Sequence, residues 1–97
     1  MDTPTDIEVH NQEDRSRYEL VLDGEVVGIA DYHERGDALV FPHTEIDPRH
    51  RGKGLGAVLV RAAMDDVRAQ GRTVVPTCWF VSDFLDANPA YAELRAS

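Results

Sequence analysis

Ile46-Asp47-Pro48-Arg49-His50-Arg51-Gly52-Lys53-Gly54-Leu55-Gly56 joins an apolar, β-branched stretch to an amphipathic helix, and its reading decides the fold. Asp47-Pro48 turns the chain out of a strand. Three glycines and three basic side chains, Arg49, Arg51 and Lys53, follow within a few residues. The spacing predicts a helix from Ala57 to Gln70 beginning as the glycines end. A helix start leaves N–H groups without intrahelical acceptors and carries the positive end of the helix dipole. Glycines let the backbone come close to an anion, and the basic side chains add charge. Such a loop suits a pyrophosphate. The bland alternative is a glycine-rich turn that only connects strand to helix, but a basic cluster in an acidic chain favours the cradle.

Upstream of this loop the chain reads as antiparallel strands. Ile7-Glu8-Val9-His10 alternates apolar and polar, and Tyr18 to Leu22 continues in that style. Asp23-Gly24 is a hairpin signal, and Glu25 to Tyr32 carries Val26, Val27, Ile29 and Ala30 on the return. A second turn at Arg35-Gly36-Asp37 leads to Ala38-Leu39-Val40-Phe41 and on to Ile46. Downstream, Leu55, Val58, Leu59, Ala62, Ala63 and Val67 form one helical stripe, with Arg61, Asp65, Arg68 and Gln70 facing away. Gly71 stands where a helix ends. Thr73-Val74-Val75 reads as a buried strand running into Pro76-Thr77-Cys78, so strand, helix and strand form a right-handed parallel crossover. Phe80, Val81, Phe84 and Leu85 mark a short second helix stopped by Asn88-Pro89. The chain ends are expected to fray.

The fold class is therefore α/β (α+β): a small mixed sheet whose N-terminal antiparallel meander is followed by a β-α-β crossover and a short C-terminal helix. The 97 residues are expected to form one domain spanning 1–97. Pro42 and Pro76 fall in the two strands flanking the long helix, and neither can donate a ladder hydrogen bond. Each could mark a bulge or an unpaired edge. Alternatively the two parallel strands part there and open a cleft outside their carboxyl ends.

Composition narrows the function classes. Ten basic against eighteen acidic side chains give a net charge of −8, which argues against nucleic acid as a partner. The same balance is compatible with a cationic partner such as an amine, although solubility explains it equally well. No apolar run approaches the roughly 20 residues of a membrane span, and the acidic start Met1-Asp2-Thr3-Pro4-Thr5-Asp6 is no signal peptide. The single cysteine, Cys78, excludes an internal disulfide and points to the cytoplasm.

Phosphate-binding patterns can be compared on this loop. A P-loop needs a lysine and a hydroxyl where the chain has Ala57 after Gly56. A dinucleotide fingerprint needs its third glycine one residue later and a longer series of βαβ units. Arg/Gln-x-x-Gly-x-Gly/Ala remains, and Arg51-Gly52-Lys53-Gly54-Leu55-Gly56 matches it. On these residues the chain resembles the GNAT acetyltransferase superfamily, over about His43 to Tyr91. Small size together with His43-Thr44, Pro76-Thr77-Cys78 and Asn88-Pro89-Ala90-Tyr91 resembles its YjdJ-like minimal GNAT group. Those proteins keep the cofactor-binding half of the fold and lack the N-terminal helices lining the acceptor site of larger members; the sequence likewise predicts no helix before residue 54.

The resemblance implies acetyl-CoA as cofactor and an amine as acceptor. Backbone amides from Arg51 through Gly52, Lys53, Gly54, Leu55 and Gly56 would hold the CoA pyrophosphate. The strand ending at Ile46 would align the pantetheine arm. Asn88 and Tyr91 would lie near the thiol end or the pantetheine, with Tyr91 as the acid that protonates the leaving thiolate.

Acetyl transfer to an amine needs a neutral nucleophile, a stabilised oxyanion and a protonated leaving thiol. His43 and Glu45 lie two apart on one strand and hence on one face. Either could accept the amine proton, Glu45 through water, or each could be a surface or hydrogen-bonded structural side chain. Cys78 ends the second strand of the crossover and could carry the acetyl group covalently, as the minimal group's Pro-x-Cys setting suggests; beside Trp79 and Phe80 it could equally be a small buried hydrophobe. Direct attack on the thioester is the default. No ligand pair has a zinc-like spacing, so no metal is expected. The sequence thus points to an acetyl-CoA-dependent N-acetyltransferase acting on a primary amine of a protein lysine, an N-terminus or a small molecule. The other reading is a non-catalytic CoA-binding sensor or interaction module.

Overall fold

A computed structural model describes residues 6–96; residues 1–5 and 97, including the outermost part of the chain ends expected to fray, lie outside the described residues. Five strands form one mixed sheet in sequence order: β1 (Ile7–Gln12), β2 (Arg17–Leu22), β3 (Glu25–Arg35), β4 (Ala38–Ile46) and β5 (Thr73–Val75). The first four pair antiparallel, and β5 pairs parallel to β4. Helix α1 (Leu55–Ala69) bridges β4 and β5, and α2 (Trp79–Ala87) follows β5. This is the meander and crossover that the sequence pattern predicts.

Local chemistry fixes the turns. Asp23 and Gly24 both take positive φ (49° and 87°), which a tight two-residue hairpin between right-twisted strands demands. Between β1 and β2 a 3-10 turn at Glu13–Arg15 ends on Ser16 in the left-handed region. α1 starts two residues earlier than the spacing predicts, because Gly54 already occupies the cap position and Leu55 and Gly56 are helical.

The buried arc of α1 also differs from the expected stripe. Leu55, Leu59, Ala63 and Val67 are inside as expected, but Gly56, Val60 and Met64 join them while Val58 is 40% exposed. The helix is packed from two sides, by the sheet and by α2, so its buried arc turns away from Val58. On the sheet side, Tyr18, Tyr32 and Phe41 form an aromatic cluster with ring centroids 5.4 to 6.1 Å apart. The Tyr18 hydroxyl donates to Asp66 Oδ2 of α1 at 2.7 Å, tying helix to sheet. Burial, then the bond to Asp66, push the Tyr18 phenol far above its ordinary pKa; burial raises Tyr32 as well.

On the α2 side, Gly56 meets Phe80: a Cβ at residue 56 would stand 2.5 Å from the ring's Cζ. The segment after α2 does not fray through residue 96. Pro89–Leu94 forms a 3-10 turn, Arg95 bridges Val74, and the Ala96 N–H donates to the Val74 carbonyl at 2.8 Å.

Removing the Tyr18 hydroxyl should cost about 1–2 kcal/mol, because Asp66 loses a partner at a part-buried site. Tyr18→Phe should therefore unfold at lower urea with an unchanged circular dichroism spectrum. Unfolded tyrosines ionise near pH 10 while the folded Tyr18 does not, so the native state loses stability as pH rises above 10. In Tyr18→Phe that alkaline slope should shrink by about one proton. For Gly56, the alanine variant gains helix propensity of about 1 kcal/mol against the ring displacement and should unfold near the parent. Gly56→Leu overfills the contact and should lose about 1–3 kcal/mol in the same urea titration.

Candidate cofactor and acceptor site

The site begins where β4 and β5 stop pairing. Their ladder has three rungs, Ala38↔Thr73, Leu39↔Val74 and Val40↔Val75, and ends just before Pro42 and Pro76. Along the other edge of β4 the register with β3 changes from His33↔Val40 to Asp31↔His43, so three steps on β4 match two on β3. The extra residue is a bulge at Phe41-Pro42. The Phe41 carbonyl accepts the Cys78 amide at 2.9 Å and the Thr77 hydroxyl at 3.2 Å, which pins the chain leaving β5 before it diverges. The parting anticipated from the two prolines is present.

Between the diverging segments lies a cavity of about 620 Å³. Thr44 and Ile46 line it from β4, Gly52, Gly54 and Gly56 from the loop and the first turn of α1, and Phe80 from α2. Gly52 and Gly54 take φ of 82° and 75°, a conformation that side chains disfavour. The amides from Gly52 to Ala57 have no hydrogen-bond acceptor among the described residues, whereas those of His50 and Arg51 are used by the preceding 3-10 turn. A run of unpartnered N–H groups at the first turn of a fifteen-residue helix fits a diphosphate.

Of the three bases expected to serve the anion, one is spent elsewhere. Arg49 pairs with Asp47 at 2.8 Å and with Glu25 at 3.0 Å. The Arg49 guanidinium, then its backbone N–H, hold the Asp47 carboxyl down at about 2, so this pair is ionised throughout the physiological range. Asp47 also caps the 3-10 turn at Pro48–His50 by accepting the Arg49 amide. Arg49 is therefore a loop clamp rather than an anion ligand. Arg51 and Lys53 remain exposed beside the glycines, with Lys53 Nζ 3.1 Å from His50 Nδ1. Gly56 has a packing role as well: its missing side chain admits the Phe80 ring.

Cys78 sits at the N-cap of α2, nearly buried, with Sγ 3.8 Å from Thr44 Oγ1 across the gap. His43 and Glu45 alternate with Thr44 and Ile46 and so point to the opposite face of the strand; His43 Nε2 lies 3.3 Å from Glu45 Oε2, with more than half of each side chain exposed. Both still border the cavity. Asn88 and Tyr91 do not. Asn88 Nδ2 donates to the Phe84 carbonyl, closing the far end of α2, roughly 15 Å along the helix from Cys78. Tyr91 packs on Phe84 under Arg61 and Arg68, and its hydroxyl donates to Asp65 at 2.7 Å. The expectation that these two residues approach the thiol end is thus corrected: the turn after α2 folds back against α1 instead.

Several lining residues escaped sequence reasoning. Thr44 follows from strand alternation once Ile46 is placed inside, and Ala57 from the helix starting at Leu55; Trp79 and Phe80 follow only from knowing that α2 begins at the cavity. Among the described residues no group of three His, Cys, Asp or Glu side chains could hold a metal ion, and no helix is long and apolar enough to cross a membrane.

Known proteins resemble this chain in sequence or in fold. Over 91 residues the chain is 30% identical to Protein NATD1 of Xenopus tropicalis, covering 92% of this chain and 84% of that one. It is 29% identical over 91 residues to Protein NATD1 of Danio rerio, covering 92% and 83%. The crystal structure of the ribosomal-protein-S18-alanine N-acetyltransferase from Escherichia coli superposes with a TM-score of 0.60 at 22% identity, over 68% of this chain and 44% of that one. Nourseothricin acetyltransferase gives 0.52 at 20% identity, over 76% and 59%. The chain thus matches about half the length of these two solved structures, and at such identity the likeness is one of fold. The profile of the GCN5-related N-acetyl-transferases matches residues 17–94, and the chain belongs to that family.

Proposed function

We propose that this acetyltransferase-family chain, read as one domain, uses acetyl-CoA to acetylate a primary amine, and that it belongs with the minimal YjdJ-like members. The observation carrying the cofactor assignment is the run of amides from Gly52 to Ala57 without acceptors, at the mouth of the gap between β4 and β5. The absence of any α-helix before α1 among the described residues supports the minimal grouping. The single cysteine supports a cytoplasmic setting.

In this reading the amides of Gly52, Lys53, Gly54, Leu55 and Gly56, helped by the Arg51 and Lys53 charges, hold the diphosphate. Ile46 and Thr44, on the unpaired part of β4, border the pantetheine path. Acetyl-CoA supplies an activated acetyl thioester. The amine must lose a proton as its C–N bond forms, and the His43–Glu45 pair bordering the cavity is suited to take one through water from the far side of the strand. Tyr91 and Asn88 serve as packing residues, and protonation of the leaving thiol falls to solvent or to the Cys78–Thr44 pair. Cys78 supports a second route: its thiolate takes the acetyl group, the CoA thiol leaves, and the amine then displaces the cysteine sulfur.

CoA should raise the melting temperature of the parent by mass action. Gly54→Glu should abolish that shift, since it places bulk, strain and a negative charge at the cradle. Arg51→Ala should weaken CoA binding by calorimetry roughly tenfold, as expected for losing a charged hydrogen bond of about 1.5 kcal/mol. Arg49→Ala should leave the affinity nearly unchanged; equal losses in both arginine variants would remove the distinction between clamp and ligand.

Mixing parent protein with acetyl-CoA in the absence of amine should yield an acetylated Cys78 in the mass spectrum if the covalent route operates. Cys78→Ala turning over amines at the parent rate would leave direct transfer as the mechanism. Thiol release no faster with a panel of amines than without them, CoA binding being intact, would instead favour a CoA sensor.

A further inference from the structure

Trp79 is the chain's single tryptophan and the first residue of α2, and it is 73% exposed at the cavity rim. No other large apolar side chain among the described residues is so exposed; Val26, the next, reaches 44%. The indole is held edge-on against Phe80, with centroids 5.7 Å apart at 66°, and Phe80 is seated on Gly56. One face of a fixed aromatic ring is thus offered to solvent beside the gap where Cys78 and Thr44 meet. Asp83, one helical turn on, is exposed on the same side of α2 and makes no ion pair among the described residues. Glu45 borders the cavity from β4. His50 and Arg51 line the cavity at the loop with Lys53 beside them, while on β4 His43 is paired to Glu45, so the cations without a carboxylate stand at the loop and the indole with Asp83 stands at the α2 end.

We propose that Trp79 docks the acceptor, and that the acceptor is a flexible polypeptide segment carrying a cationic side chain beside the amine to be acetylated. This rests on the transferase reading above. An indole face and a carboxylate one turn away recognise a guanidinium or ammonium group. The rest of the acceptor side is open, with no element covering it among the described residues. Small molecules are held by enclosure over most of their surface, which this rim does not provide. An extended peptide gathers several shallow contacts and needs no enclosure. The net charge of −8 steers a cationic segment toward the chain, and Asp83 beside the indole sets its polarity against the cationic loop.

Because Trp79 is the only tryptophan, its emission reports docking directly. The parent saturated with CoA is titrated with a short peptide bearing a free N-terminal amine and two arginines, with the same peptide carrying glutamines instead, and with spermidine. A saturable emission change is expected with the arginine peptide, about fivefold weaker with the glutamine peptide, and weaker again with spermidine. Asp83→Asn should narrow the difference between the two peptides. No emission change with either peptide, or equal affinity for both, overturns the proposal; spermidine binding tighter than the peptide overturns its polypeptide half. Thiol release from acetyl-CoA with the same peptides tests the transferase reading separately: docking without release removes the enzymatic reading and leaves Trp79 as a peptide-binding residue.

Discussion

The early end of the β4–β5 ladder is the constraint on which the rest of the molecule depends. After three rungs each strand meets a proline, and the missing N–H groups leave nothing to continue the pairing. The sheet does not simply come apart there. The Phe41 carbonyl takes both the amide of Cys78 and the hydroxyl of Thr77, so the two chains are fastened at the point of divergence. A bulge on the opposite edge of β4 absorbs the extra residue without loss of pairing to β3 on either side. The result is a gap whose two walls are fastened to each other at its closed end.

Everything around the gap is arranged to keep that geometry. α1 is held to the sheet by apolar packing and by the Tyr18–Asp66 hydrogen bond, and to α2 by the fit of Phe80 on Gly56. Its first turn is consequently fixed relative to β4, and the loop glycines border the same space as Thr44 and Ile46. The loop itself is stiffened by Asp47, which caps a 3-10 turn and binds Arg49, while Glu25 completes the clamp. An acidic chain thus presents a small cationic spot at the glycine loop.

The turn after α2 shows how a motif can be misleading. Asn88-Pro89-Ala90-Tyr91 was expected near the reacting end, yet the chain uses these residues to close α2 and to lay Tyr91 between Arg61, Arg68 and Phe84. The physical reason is that a nine-residue helix carries its C-terminus well away from the cavity that its N-terminus borders. A tyrosine past that end finds its partner, Asp65, on α1.

What the sequence determined by itself was anything encoded by local chemistry: the alternating strands, the Asp23-Gly24 hairpin, the glycine loop before a helix, and the two prolines that stop a ladder. Those signals are short-range, and each has one inexpensive backbone solution. What the tertiary structure alone decided was which side chains meet. Arg49 finds one carboxylate, Asp47, two positions away, but the second arm of its clamp is Glu25, twenty-four positions earlier. Whether Val58 or Met64 was buried depended on α2 packing against α1 as well as the sheet. Whether Tyr91 reached the cavity depended on how far one helix runs before it turns. Such choices are settled by long-range contacts and by the volume of space that they enclose, and neither has a signature in residue order.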